Sequence, residues 1–188
     1  MAFLIKDQSK KGSIHMKISI EMLDKSGLVY DWKTLYVGIS ANLIERSELS
    51  VYALKILECK ETMSNDFLVE LACNCDDYAK EELLTHMILK LNLEFPNNGD
   101  NIWDIELRKL RFSILNYLNI SIQDNMKLLK IIEEVYSDFS YPEDMEDFIY
   151  YMPSKINTEI ISIEENIRRM IESFNSFMNI EKNKLLYC

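Results

Sequence analysis

Glycine and proline are scarce in this chain of 188 residues, which contains only four glycines and three prolines. Tight β-hairpins and phosphate-binding loops rely on glycine because it adopts positive φ angles without steric strain. The scarcity therefore disfavours hairpin-rich sheets and nucleotide-binding loops, and it favours helices. Hydrophobic residues make up 48% of the chain and charged residues 28%, which is typical of a globular protein with its own core.

Cysteine and histidine are too few and too scattered for a disulfide framework or a metal site. The four cysteines and two histidines are Cys59, Cys73, Cys75, Cys188, His15 and His86. Cys73 and Cys75 lie closer together than paired zinc ligands usually do. We therefore expect reduced thiols, no bound metal and no nucleotide cofactor.

The chain also lacks the features of a secreted, membrane or nucleic-acid-binding protein. No run of roughly 18 apolar residues is present, so we predict no membrane span. The first residues, MAFLIKDQSKK, become charged too early for a signal peptide, which predicts a cytoplasmic protein. The net charge of −10 disfavours nucleic acid and anionic membranes as partners, and it is compatible with a basic protein partner.

Apolar residues recur every three or four positions in each segment after Val29, which is the period of an α-helix. We predict an all-α fold: a single domain of about seven to nine short antiparallel helices in an irregular bundle or array. Residues 1–15 are expected to be loosely ordered, and residues 16–188 to form the domain. We also predict a loop near residues 92–101, a long C-terminal helix at residues 158–179 and a frayed tail from residue 182.

Two local patterns near the start of the domain need interpretation. Residues 14–22 alternate between apolar and polar side chains, which fits a strand, but no second strand is predicted to pair with it. We therefore favour a short helix over residues 18–25, ended by Gly27. Asp31 is expected to cap the next helix and Gly38 to end it.

The stretch from residue 128 to residue 153 holds the densest aromatic cluster and the longest run of one charge. Seven acids and no lysine or arginine occur between residues 131 and 154. Pro142 cannot donate a backbone hydrogen bond, so it should end one helix and begin the next. The result is a sharp turn between two helices, which we call the aromatic corner.

The outward side of the aromatic corner is the predicted partner-binding surface. Four apolar residues (Met145, Phe148, Ile149 and Met152) already fill the inward stripe of the second helix, so Tyr150 and Tyr151 cannot both be buried there. The predicted binding residues are Asp138, Tyr141, Glu143, Asp144, Asp147, Tyr150 and Tyr151. A competing explanation is that Arg108, Lys109 and Arg111 neutralise these acids within the protein. Trp32 and Trp103 lie on apolar helical stripes and are predicted to be structural.

Three motifs, in this order, resemble a known bacterial family: Asp31–Trp32, Tyr141–Pro142–Glu143–Asp144–Met145 and Tyr151–Met152–Pro153. The family is an uncharacterised one, catalogued among candidate immunity proteins of polymorphic toxin systems. The resemblance covers residues 19–153 and leaves the final helix outside. It implies a cytoplasmic protein that binds and neutralises a cognate toxin domain, and it assigns no catalytic residues.

Two other classes of function remain open at this point. One is an all-α metal-dependent nucleotide hydrolase, whose ligands would be Glu133, Glu134, Asp138 and the acids of residues 143–147, with Glu164 and Glu165 as the only partner motif. The other is a helical scaffold that binds a peptide or itself. The apolar repeat of the last helix is too short to argue a coiled coil, so we expect a monomer or a weak homodimer. We rank the non-catalytic binding protein first.

Overall fold

The structure is a computed structural model that describes residues 16–59, 66–74, 79–91, 96–152 and 162–186. These residues form eight α-helices and one 3₁₀ helix, and none of them forms a strand. The predicted all-α fold of seven to nine helices is confirmed. The prediction that residues 1–15 are loosely ordered lies outside the described residues.

The described helices are short except for two. In chain order they are α1 (Ile20–Ser26), α2 (Trp32–Ser40), α3 (Ser47–Cys59), α4 (Asp66–Asn74), α5 (Lys80–Leu91), α6 (Asn101–Ser121), α7 (Asn125–Asp138), the 3₁₀ helix (Glu143–Phe148) and α8 (Ile163–Leu186). The predicted loop near residues 92–101 is described from residue 96, where a turn leads into α6. The long helices α6 and α8 carry too many charged residues to form a membrane span, and the other described helices are too short for one.

The first of the ambiguous patterns forms the helix α1. The Ser19 side chain accepts a hydrogen bond from the backbone of Met22 and so caps its start. Gly27 ends α1 in the left-handed region, at φ 70°. The helix was therefore the correct alternative, because residues 16–26 have no neighbouring strand in the described structure.

Gly38 does not end α2, and that prediction was wrong. Asp31 caps the start of α2 as expected, in a reciprocal capping box with Thr34. The helix then continues through Gly38 to Ser40, and Gly38 is buried beneath the side chain of Ile44. A Cβ atom at Gly38 would lie 2.4 Å from Ile44 Cδ1. The glycine is thus needed for a close contact between the helix and the chain that returns over it.

Helix α6 is the centre of the fold, since it packs against α1, α2, α7 and α8. Because α6 has several neighbours, its buried apolar residues lie on more than one side of the helix. They are Leu110, Phe112, Ile114, Leu115 and Leu118. Helices α3 and α4 pack together as a neighbouring pair, and α8 packs against the 3₁₀ helix as well as α6. Buried residues from all nine of the described helices form one continuous hydrophobic cluster.

Helix α8 begins later and ends later than predicted. It starts at Ile163, where Ser162 accepts a hydrogen bond from the backbone of Glu165, and it extends to Leu186. The predicted frayed tail was therefore wrong for residues 182–186. Leu185 is only 3% exposed and Glu181 only 2%, so the end of α8 is held against the core.

Both tryptophans lie half-buried against the hydrophobic core. The ring of Trp32 meets the ring of Tyr52 edge-on, with 4.7 Å between their centroids. Trp103 lies on α6. These positions agree with a structural role for both residues, which stays a prediction.

We predict that Gly38→Ala lowers the free energy of unfolding by about 1–3 kcal/mol, because the new methyl group collides with Ile44. The matched control is the same change in an Ile44→Ala background, where the colliding atoms are gone. There alanine should be neutral or stabilising by up to about 1 kcal/mol, because it favours helix more than glycine does. Equal losses in both backgrounds, measured by urea denaturation, would contradict the packing role of Gly38.

Candidate functional site

The aromatic corner begins where α7 ends in a Schellman motif, a common way of closing a helix. The backbone N–H of Tyr141 donates to the carbonyl of Tyr136 at 2.9 Å, and that of Ser140 donates to Ser137 at 3.1 Å. Ser140 and Tyr141 both adopt left-handed conformations, with φ angles of 62° and 60°. Glycine normally occupies the left-handed position of this motif. The corner therefore holds two non-glycine residues in an unfavourable backbone region.

The buried ring of Tyr136 contacts the rings of two outer tyrosines of the corner. It is buried on α7, and the ring of Tyr141 meets it edge-on with 5.2 Å between centroids. The ring of Tyr151 lies 6.5 Å from the same tyrosine. An apolar contact between the positions that Tyr136 and Tyr141 occupy usually accompanies a Schellman motif. Two outer tyrosines are thus placed on one buried ring.

The backbone of the chain after the 3₁₀ helix is also tied to α7. The Glu133 carboxylate on α7 accepts a hydrogen bond from the backbone of Tyr150. Partial burial raises the pKa of Glu133, and this hydrogen bond acts in the opposite direction. Partial burial likewise raises the pKa of the Tyr151 hydroxyl. Helix α7 therefore positions Tyr141, Tyr150 and Tyr151 together.

These three tyrosines are the most exposed aromatic residues of the corner, and we call them the tyrosine patch. Tyr141 is 60% exposed, Tyr150 47% and Tyr151 57%. Meanwhile Met145, Phe148 and Ile149 are buried, as the count of helix faces predicted, whereas Met152, the fourth residue of that stripe, is only half-buried. The prediction that at least one ring stays near solvent is confirmed, and all three do. Large amphipathic rings of this kind are enriched at protein interfaces.

Two of the four predicted charges of this surface are engaged inside the protein. Asp144 accepts a bidentate pair of hydrogen bonds from Arg111, at 2.9 and 2.6 Å. Asp138 accepts a hydrogen bond from the backbone N–H of Met16 at 3.1 Å. Both acids therefore have partners inside the protein, and their role in binding a partner stays a prediction. For Asp144, the competing explanation of internal neutralisation is the correct one.

A buried ionic network connects α6 to α8 and to the aromatic corner. Arg108 donates two hydrogen bonds to Glu181, at 2.8 and 2.7 Å, and Arg111 approaches the same carboxylate at 3.5 Å. Glu181 was missed from the sequence because it lay beyond residue 179, where the last helix was predicted to end. The signal that could have found it is the pair of arginines at i and i+3 on α6, which requires a counter-charge.

The third base of this segment has a separate partner. Lys109 donates to Glu106 on α6 at 2.9 Å, and Glu106 also accepts from the hydroxyl of Thr34 at 2.5 Å. Glu106 and Thr34 are both buried, so the hydrogen bond between them anchors α2 to α6. Lys109 is thus unavailable to the acids of the corner.

Glu143 is exposed and follows Tyr141 of the tyrosine patch by two residues, whereas Asp147 lies farther along the 3₁₀ helix, where it lines a hollow against α8 together with Phe177 and Lys184. The Glu143 carboxylate makes no hydrogen bond or ion pair with any described residue. It follows the left-handed turn by two residues and lies in the first turn of the 3₁₀ helix. It is the acid of the predicted set that is best placed to meet a partner's charge.

The acids proposed for a metal-dependent hydrolase are dispersed. Asp138 and Asp144 have the internal partners given above, and Glu165 pairs with Arg168 on α8. Within the described ranges, no three acidic, histidine or cysteine side chains form a group that could hold a metal ion. The geometry therefore lends no support to the hydrolase alternative.

A family model matches residues 20–182 of the chain, and its description is "Uncharacterized protein conserved in bacteria (DUF2247)". The chain belongs to this family. The match covers most of α8, so the expectation that the final helix lies outside the family was wrong. No curated protein and no solved structure matches the chain. The resemblance to an uncharacterised bacterial family is confirmed.

We predict that Ser140→Gly raises the free energy of unfolding by up to about 1 kcal/mol in this family member. Glycine removes a left-handed penalty of roughly 1–2 kcal/mol, partly offset by its greater freedom in the unfolded chain. Ser140→Val should instead lower stability by about 1–3 kcal/mol, since a β-branched residue is poorly tolerated there. Thermal denaturation of both variants tests the conformation, and the reverse order of stability would contradict it.

We also predict that Asp144→Lys lowers the free energy of unfolding by about 1–3 kcal/mol, because it places a like charge against Arg111. The loss should stay below that of a fully buried pair because the Asp144 side chain is 48% exposed. Glu143→Lys is the matched control, with the same charge change one residue earlier. It should alter stability by less than about 0.5 kcal/mol. Similar urea midpoints for the two variants would exclude the internal role of Asp144.

Proposed function

We propose that this protein is a non-catalytic binding protein, and that it acts as a cytoplasmic immunity protein that neutralises a cognate bacterial toxin domain. The observation that carries the proposal is the tyrosine patch: three exposed tyrosines, of which two contact Tyr136 of α7 with their rings and the third is bonded to α7 through its backbone. Tyrosine is an effective interface anchor because it combines a large apolar area with a polar tip. Family membership and the earlier resemblance supply the bacterial context.

The rigidity of the patch favours a role in binding. Tyr141 and Tyr151 both rest on the buried ring of Tyr136, and the backbone of Tyr150 is bonded to Glu133. Side chains that are already ordered lose less conformational entropy when a partner covers them. The two left-handed residues cost stability at the same place, and such strain is commonly retained where it serves a function.

The charge of the protein favours a basic partner. The chain carries a net charge of −10, and the exposed carboxylate of Glu143 accompanies the tyrosine patch. Toxins that cleave nucleic acid need basic surfaces to hold a polyanionic substrate. Complementary charge would speed the encounter, and the buried rings would slow dissociation. A basic nuclease-type toxin domain fits both properties.

The test uses any toxin domain that is found encoded beside the gene for this chain. Co-expression with the wild-type chain should protect cells, and the two proteins should form a complex. We predict that Tyr150→Ala combined with Tyr151→Ala weakens the complex by about 10- to 100-fold, since anchor residues dominate interface energetics. The melting temperature should change little, because both side chains are exposed.

The matched control is Val29→Ala combined with Leu89→Ala, which also removes two exposed apolar side chains, away from the corner. It should leave both protection and affinity unchanged. If the wild-type chain neither binds nor protects against that toxin, the immunity role is excluded. If it does both, and the tyrosine double variant binds as tightly as the control, the binding surface lies elsewhere.

A further inference from the structure

A cleft of about 450 Å³ lies between α6 and the aromatic corner. Its apolar lining comes from Leu107 on α6 and from Phe139 and Pro142 in the corner. Its acidic lining comes from Asp104 on α6 and Glu143 on the 3₁₀ helix. The cleft thus combines an apolar wall with carboxylates supplied by two different elements.

The charges around this cleft do not cancel. Arg108 and Arg111 also line it, but Glu181 and Asp144 already neutralise their guanidinium groups. In the described part of the chain, the side-chain carboxylates of Asp104 and Glu143 have no hydrogen bond or ion pair with another residue. Two guanidinium groups against four carboxylates leave a net charge of −2, so the cleft is an electrostatic site for a cation.

The cleft adjoins the tyrosine patch, because Pro142 and Glu143 follow Tyr141 directly in the chain. A protein that covers Tyr141 would therefore also lie over the cleft. An apolar side chain inserted there would strip water from two unpaired carboxylates without replacing its hydrogen bonds. An acidic side chain would meet charges of its own sign. Only a basic side chain satisfies both the apolar lining and the carboxylates.

We propose that this cleft receives an arginine or lysine side chain from the basic protein partner. The aliphatic stem would pack on Leu107, Phe139 and Pro142, and the charged end would bond to Asp104 and Glu143. This inference rests on the proposed function, since it identifies what the partner inserts. It adds Asp104, which no sequence pattern singled out, as a residue that determines specificity.

The test uses blocked tripeptides as probes and nuclear magnetic resonance of the full chain as the readout. Acetyl-Gly-Arg-Gly-amide should bind weakly and saturably, with a dissociation constant on the order of 1–10 mM, and should shift the amide signals of residues 104–107, 139–141 and 143. The same peptide with citrulline, which has the shape of arginine without its charge, should bind at least about fivefold more weakly.

Asp104→Asn combined with Glu143→Gln should weaken the arginine peptide at least about fivefold as well. The matched control, Glu58→Gln combined with Glu82→Gln, removes the same net charge from α3 and α5 and should leave binding unchanged. Equal binding of the two peptides, shifts confined to other regions, or no saturable shift up to roughly 20 mM peptide would overturn the proposal. Such a result would not affect the toxin assay of the tyrosine patch. The cleft proposal and the proposed function can therefore be disproved independently of each other.

Discussion

The guanidinium group of Arg111 is the interaction on which the arrangement of the functional surface depends. It lies in the interior, where it bonds to Asp144 of the 3₁₀ helix, approaches Glu181 of α8 and covers the ring of Phe177 at 5.5 Å. A buried cation is costly unless its partners are well placed, and removing one partner of such a group typically costs about 3–5 kcal/mol. One side chain thus fixes the relative positions of α6, α8 and the corner.

This interaction also determines which acids can meet a partner. In sequence, Glu143 and Asp144 are adjacent members of one acidic run. In the fold, Asp144 is held by Arg111, whereas Glu143 points its charge at no described residue. The carboxylate of Asp104 on α6, which lines the same cleft, likewise has no described partner. Some acids of the run therefore stabilise the fold, and others are available for recognition. Even adjacent residues such as Glu143 and Asp144 differ in this respect.

The features that sequence could predict are those set by local periodicity. The helices follow from apolar residues at three- and four-residue spacing, and the exposure of Tyr150 and Tyr151 follows from counting the faces of a short helix. Three features that the sequence analysis missed depend on tertiary contacts. Gly38 is buried beneath Ile44, the end of α8 is held by Arg108, and Asp138 is bonded to Met16, which is 122 residues away. A single sequence contains no record of such partners.

Tyr136 links the stability of this protein to its proposed recognition surface. It is 3% exposed and belongs to the core, yet the exposed rings of Tyr141 and Tyr151 both contact it. Side chains that share a support do not contribute independently, so the energies of the two outer rings should not be additive. A substitution at Tyr136 would reduce both stability and recognition, whereas a substitution at Tyr141 or Tyr151 should reduce recognition alone. The tyrosine patch is therefore best understood as an extension of the core to the surface, which accounts for exposed aromatic side chains that are nevertheless held in fixed positions.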